Sequence, residues 1–158
     1  MKYHISLSLL SVANDLYLVS RIQNSDAAGQ CKSQVSIFGK ALKRHTIDKF
    51  KVNIPDVCIK TCVNEPRCQS INYEMEERIC ELNNRSKEAR PEDYETDPGR
   101  IYLTVSLNKA VGSSPKVPAM SCLEIKASEG QEAVYGYYWL DRDNTGEAIQ
   151  TYCYIGKG

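Results

Sequence analysis

Residues 58–80 read CIKTCVNEPRCQSINYEMEERIC, and four of the chain's seven cysteines fall inside these 23 residues. Cys58 and Cys62 stand four apart, so in a helix both thiols face the same way, one turn apart. A helix is the expected state. Asn53 is placed to cap it, and Asp56 three residues on completes a capping-box-like pair at the positive helix end. Pro55 is tolerated in the first turn, where no intrahelical donor is lost, and Pro66 stops the helix. Beyond Arg67 the period becomes two: Ile71, Tyr73 and Met75 alternate with Ser70, Asn72 and Glu74. A second short strand, Arg78 to Leu82, carries Cys80. The stretch predicts one helix stapled to a β-hairpin by two disulfides.

Working outward, Val35, Ile37 and Phe38, then Ala41 and Leu42, predict a strand with a turn at Gly39-Lys40. Thr46 to Val52 predicts another strand. Asn83 to Gly99 is polar, with turn signals at residues 90–93 and 97–99, and Ile101 to Leu107 reads as the closing strand. One helix on a mostly antiparallel sheet is an α+β arrangement. Residues 107–120 carry the Gly, Ser and Pro of a linker. Beyond them the chain turns aromatic, with Tyr135, Tyr137, Tyr138, Trp139 and Tyr152. Val134–Leu140, a turn over Asp141–Gly146 and a returning Ala148–Ile155 predict a small C-terminal hairpin. Cys122 and Cys153 are its natural pair, a closure of ~3.7 kcal/mol at most on the loop-entropy model.

The 158 residues allow one domain, or a small domain with an appendage. Twenty acidic residues balance 20 basic ones, which leaves no basic footprint for nucleic acid. No apolar run reaches the roughly 18 residues of a spanning helix, so no transmembrane segment is expected. A short basic lead, the apolar run Ile5 to Ala13 and the small-x-small site Ser11-Val12-Ala13 predict a signal peptide over 1–13. An ordinary first strand is the alternative reading of the same residues. Residues 14–30 read as a flexible lead-in. In a secreted chain of this size, seven cysteines mean disulfides.

Two resemblances rest on these residues. Residues 31–106 resemble a PAN/apple domain through the helix with Cys58-x3-Cys62, the turn Pro66-Arg67-Cys68, the strand CQSINY, and Cys80 followed by Glu81-Leu82. The resemblance implies one helix cradled by an antiparallel sheet, with Cys58 bonded to Cys80 and Cys62 to Cys68. Those closures are worth ~3.4 and ~2.4 kcal/mol, a large part of a small domain's stability. Apple domains often add a bridge between their termini, and Cys31 has no second half near residues 101–108. It is expected to be unpaired or intermolecular. Residues 121–155, within a C-terminal segment over 121–158, resemble the opening of a fibrinogen C-terminal-like domain, through Ser121-Cys122-x-Glu124-Ile125, Gly136-Tyr137-Tyr138-Trp139-Leu140-Asp141 and Thr151-Tyr152-Cys153. The calcium and ligand pockets of that family lie further downstream than this chain reaches.

No catalytic residues, metal site or cofactor are expected. Zinc thiolates come as two close pairs, whereas here one x3 pair is followed by gaps of five and eleven. No C-x-x-C redox pair occurs. His45, between Arg44 and Thr46 on a turn, reads as an exposed surface histidine without a nucleophile motif. Glu74, Glu76, Glu77 and Glu81 read as solvated turn charges, not as a glycosidase pair. Residues 141–146 share the first half of a calcium loop, but the twelfth position is Tyr152. Asn84-Arg85-Ser86 is an N-glycosylation sequon. Lys40, Lys43, Arg44, Lys49 and Lys51 form a candidate contact strip for an acidic partner or sulfated glycan. The resulting expectation is a secreted, non-catalytic recognition or adhesion module that binds an extracellular protein or glycan. The alternative is a structural linker within a longer matrix protein.

Overall fold

The computed structural model describes residues 4–12, 15–23, 34–105 and 110–156. Among them the α+β expectation holds: one helix packs on an antiparallel sheet, disulfides staple the two, and a small hairpin follows. The strands are β1 (His4–Val12), β2 (Asp15–Gln23), β3 (Gln34–Leu42), β4 (Thr46–Lys51), β5 (Ser70–Glu74), β6 (Ile79–Asn83) and β7 (Tyr94–Thr104). Their order is β1-β2-β3-β7-β5-β6-β4, and every pair of adjacent strands runs antiparallel. The helix α1 (Pro55–Asn64) has Pro55 in its first turn, as the sequence suggests. Asn53 does not cap it. Ile54 occupies that position with no side-chain bond, because Pro55 shifts the first helical residue along by one.

Alternation in β5 and β6 gives the sheet two different faces. Ile71, Tyr73, Cys80 and Leu82 meet Cys58, Ile59 and Cys62 of α1, with Leu103 and Val105 completing this core. Phe50 of the edge strand and Val52 just beyond its end pack against it. The opposite face carries Asn72 and Glu81, paired across the strands with Lys49 and Tyr102. It is covered by the chain itself. β3 does not turn at Gly39-Lys40 but runs on to Leu42 through a bulge, where Gly39 has φ +75°. A residue with a Cβ resists that conformation, so the predicted turn glycine serves as a bulge glycine. β7 is likewise irregular between residues 96 and 101, where Pro98-Gly99 reads in sequence as a turn. The β3–β7 ribbon bends there and lays Leu42 over Asn72.

Residues expected as leader and lead-in are in part β1 and β2, which extend the sheet beyond β3. Residues 110–120, expected as a linker, are instead packed. Val111 and Ala119 are fully buried with Ile125, Leu140, Cys153 and Ile155 in a second core. The backbone of Trp139 donates to Gly112 O at 2.8 Å and accepts from Ala119 N at 2.9 Å. Gly112 sits at φ +82°, where an added Cβ would stand 3.2 Å from Ile125 and 3.3 Å from Tyr138. A tight packed turn and a loose linker draw on the same residues, so composition does not separate them. The rest of this second unit is α2 (Cys122–Glu129) and the hairpin β8 (Gly136–Leu140) and β9 (Ile149–Cys153). No helix among the described residues is long and apolar enough to cross a membrane.

Candidate functional site

Three disulfide bridges among the described residues fix the surfaces available to a site. Cys58 bonds Cys80 and Cys62 bonds Cys68, all four residues fully buried beneath α1. Cys122 bonds Cys153 across the second unit. Cys31 lies outside the described residues. The bridging sulfurs have no metal geometry, and no cluster of metal-ligating side chains occurs among the described residues.

The candidate basic strip does not assemble. Lys40 is on β3 and Lys49 and Lys51 are on β4, with β7, β5 and β6 between the two strands. Most of these cations are also neutralised locally. Lys40 donates to Thr96 Oγ1 at 2.9 Å and its ammonium stands over the Tyr94 ring. Lys43 meets Asp97 at 2.6 Å, Arg44 meets Asp93, and Lys49 meets Glu81 at 3.2 Å. Lys51 is exposed on the outer strand. Charged side chains on an edge strand discourage pairing with another chain, which accounts for Lys49 and Lys51 without a ligand.

Two readings of the acid and base groups need correction. His45 is not a free surface histidine: its Nε2 lies 2.9 Å from Asp93 Oδ2, and both side chains are largely buried. Hydrogen bonding from His45 foremost, against burial and with help from Arg44, holds the Asp93 carboxyl below its usual range. Glu81 is likewise no solvated turn charge. It is 8% exposed and contacts Arg100, which also reaches Asp97 at 2.9 Å and Glu74 at 3.6 Å. Burial pulls the Glu81 pKa up, but hydrogen bonds from Arg100 and Asn72 outweigh it and leave the carboxyl below its usual value. The β5–β6 turn keeps Glu76, Glu77 and Arg78 exposed. Asp141 accepts from Thr145 N and Gly146 N at 2.9 and 2.8 Å, so it organises its own turn.

The centre of the polar face is Asn72, which is fully buried. Its Oδ1 accepts from Leu42 N at 2.9 Å, and its Nδ2 donates to Leu42 O at 2.8 Å and to Glu81 Oε2 at 3.1 Å. One side-chain amide thus pairs a backbone residue as a neighbouring strand would. The alternation through SINYE places Asn72 on this face, but nothing local in sequence says that the face is covered.

A second group missed in sequence joins the two units. Arg85 donates to Glu124 Oε1 at 2.7 Å and to Pro118 O at 3.0 Å, and Arg90 lies 3.1 Å from the same carboxylate. Ser121 caps α2 by accepting from Glu124 N at 3.1 Å. The signal was present: Ser121-x-x-Glu124 is a capping-box spacing, although the Glu124 carboxylate is drawn to the arginines.

Among the described residues, the C-terminal hairpin offers the most exposed aromatic surface. Tyr137 and Tyr152 are directly opposite in the β8–β9 ladder, on the face away from buried Leu140. Their rings meet edge to face at 5.0 Å, and Tyr152 meets Tyr154 in the same way at 4.8 Å. Tyr137 is 69% exposed and Tyr154 84%, so the second core uses neither. Three touching phenol rings in water are a contiguous amphipathic patch, able to pack on apolar surface and to hydrogen-bond at the rim.

The family model of the PAN domain matches residues 28–106 of this chain. No curated protein matches it.

Proposed function

Because the chain belongs to the PAN domain family, we propose that it is a secreted, non-catalytic recognition or adhesion module, binding an extracellular protein or glycan. Domains of this family bind proteins or carbohydrates, and buried disulfides suit an oxidising compartment. On this reading residues 1–13, which include β1, are removed as a signal peptide and leave β2 as the sheet edge, and the helix-stapled sheet forms a scaffold with no bond-making role. The observation that carries the contact surface is the Tyr137, Tyr152 and Tyr154 patch, since three of the five basic residues are already in ion pairs and the five do not share one surface.

The test is direct binding of the secreted protein to immobilised glycans and matrix proteins. Triple substitution of Tyr137, Tyr152 and Tyr154 by Ala is expected to lower retention at least tenfold with the thermal midpoint unchanged. Retention that instead falls with Lys43→Ala and Arg44→Ala, and is salt-sensitive, would return the site to the basic residues and a sulfated glycan. Non-reducing peptide mapping of the same material reports the N-terminus and the state of Cys31.

A second reading follows from the buried Arg85–Glu124 pair. It makes the second unit a rigid extension of the first, which suits a structural linker in a longer matrix protein. In that case the second unit opens a fibrinogen C-terminal-like domain, whose remainder does the binding. A longer transcript continuing into such a domain would favour it.

A further inference from the structure

The sequon Asn84-Arg85-Ser86 sits in a place that its sequence does not disclose. Asn84 lines a small open cleft between the two units, with Arg67 on one side and Lys116, Val117, Pro118, Asp141 and Asn144 on the other. The cleft has about 340 Å³ of space, counting its open mouth. The other two sequon residues are closed off. Arg85 is 7% exposed, its guanidinium held by Glu124, Asn84 O and Pro118 O. Ser86 is 3% exposed, and its Oγ accepts from Ala89 N at 3.3 Å. The backbone is fixed at both ends, since Asn84 N donates to His45 O and Ser86 O accepts from Arg90 N, both at 3.0 Å.

We propose that Asn84 is N-glycosylated only before residues 84–90 fold, and that its first sugar then fills the cleft between the two units. The proposal rests on the secreted reading above. Transfer requires an enzyme to reach both the asparagine amide and the hydroxyl two residues on. In the folded chain that hydroxyl is sealed by its own turn, and Arg85 is clamped between the units. The acceptor is therefore the open chain. The step joins Asn84 Nδ2 to the anomeric carbon of an oligosaccharide carried on a lipid pyrophosphate. The pyrophosphate leaves with the bonding electrons, the amide gives up one proton, and nothing is oxidised or reduced. Once the domain closes, Asn84 lines the same cleft as Lys116 and Asn144, polar residues able to hydrogen-bond sugar hydroxyls.

The experiment uses the full chain in two forms. Protein with its bridges formed but no sugar, and the same protein reduced and alkylated, are each incubated with purified oligosaccharyl transferase and a lipid-linked chitobiose donor. Modification of the Asn84 peptide in the reduced form, and at least tenfold less in the oxidised form, is the expected result. Equal rates would overturn the ordering. In the second arm, amine acylation of Lys116 is compared between glycosylated secreted protein and its N84Q variant. A several-fold slower reaction in the glycosylated form is expected, and equal rates overturn occupation of the cleft. Secreted, bridged protein with a bare Asn84 peptide sinks this inference while leaving the module reading standing. Free thiols and retention inside the cell sink both.

Discussion

Asn72 shows how one residue can hold a fold that its neighbours only suggest. Its amide satisfies both backbone groups of Leu42 and one oxygen of Glu81, all away from water. Replacing it by leucine keeps the branched outline, with somewhat more bulk, but strands a buried N–H and C=O. The expected loss is about 2–5 kcal/mol, read as a lower urea midpoint for the oxidised protein. Asp93 makes the corresponding case for charge. Its folded pKa lies below the ordinary 3.8, chiefly through the His45 hydrogen bond. A depressed value means that its contribution is complete above pH 3.8 and drains away as pH falls through the folded value. Stability is therefore expected to fall on acidification below that point. Asp93→Asn should lower the thermal midpoint at neutral pH and flatten the acid slope, measured by circular dichroism against pH.

Elements here gain their stability from being tied to each other more than from their own propensity. The ten-residue α1 has no side-chain N-cap and lies below the length at which an isolated helix persists in water. Its attachment is covalent: Cys58 joins it to β6 and Cys62 to Cys68, two residues before β5. Replacing Cys58 and Cys80 together by alanine is expected to cost ~3 kcal/mol, and Cys62 with Cys68 about a kcal/mol less, since the smaller loop removes less chain entropy. Equilibrium unfolding of the two double variants orders them. The period-two reading of β5 and β6 places their side chains on the correct faces, because alternation is a local geometric property. The ends of β3 and β7 are a different matter. Gly39 and Pro98-Gly99 carry turn chemistry, and a bulge and a turn use the same backbone conformations.

For the whole molecule, the deciding contact is the Arg85–Glu124 ion pair between the PAN domain and the second unit, with both side chains almost fully buried. Removing one partner leaves the other charged and desolvated. Glu124→Ala is expected to cost about 3–5 kcal/mol. Hydrogen exchange should quicken over residues 110–125 while protection in residues 70–82 stays as it was. Arg85→Met combined with Glu124→Leu is expected to recover part of that loss, since the apolar pair escapes its own desolvation cost while Arg90 still loses the carboxylate it meets at 3.1 Å. Recovery would identify the pair as a device for specific docking more than for stability. The exposed tyrosines belong to this scale too, because they become a patch only when β8 and β9 pair and bring Tyr137 opposite Tyr152.

What the residues settled alone is whatever depends on near neighbours in the chain. The helix over the Cys58–Cys62 spacing, the two strands after it, and the C-terminal hairpin around residues 141–146 all follow from periodicity and turn chemistry. Which thiols meet came from likeness to a family, and the folded chain carries those same bridges. Only the tertiary structure decided what each polar residue is for. Glu81 and His45 look solvated until β7 and the 3-10 turn Pro91–Asp93 come over them, and residues 110–120 look loose until Ile125 and Leu140 close on them. The reason is range: periodicity reports which way a side chain points, whereas burial depends on segments tens of residues distant that arrive only when the chain folds.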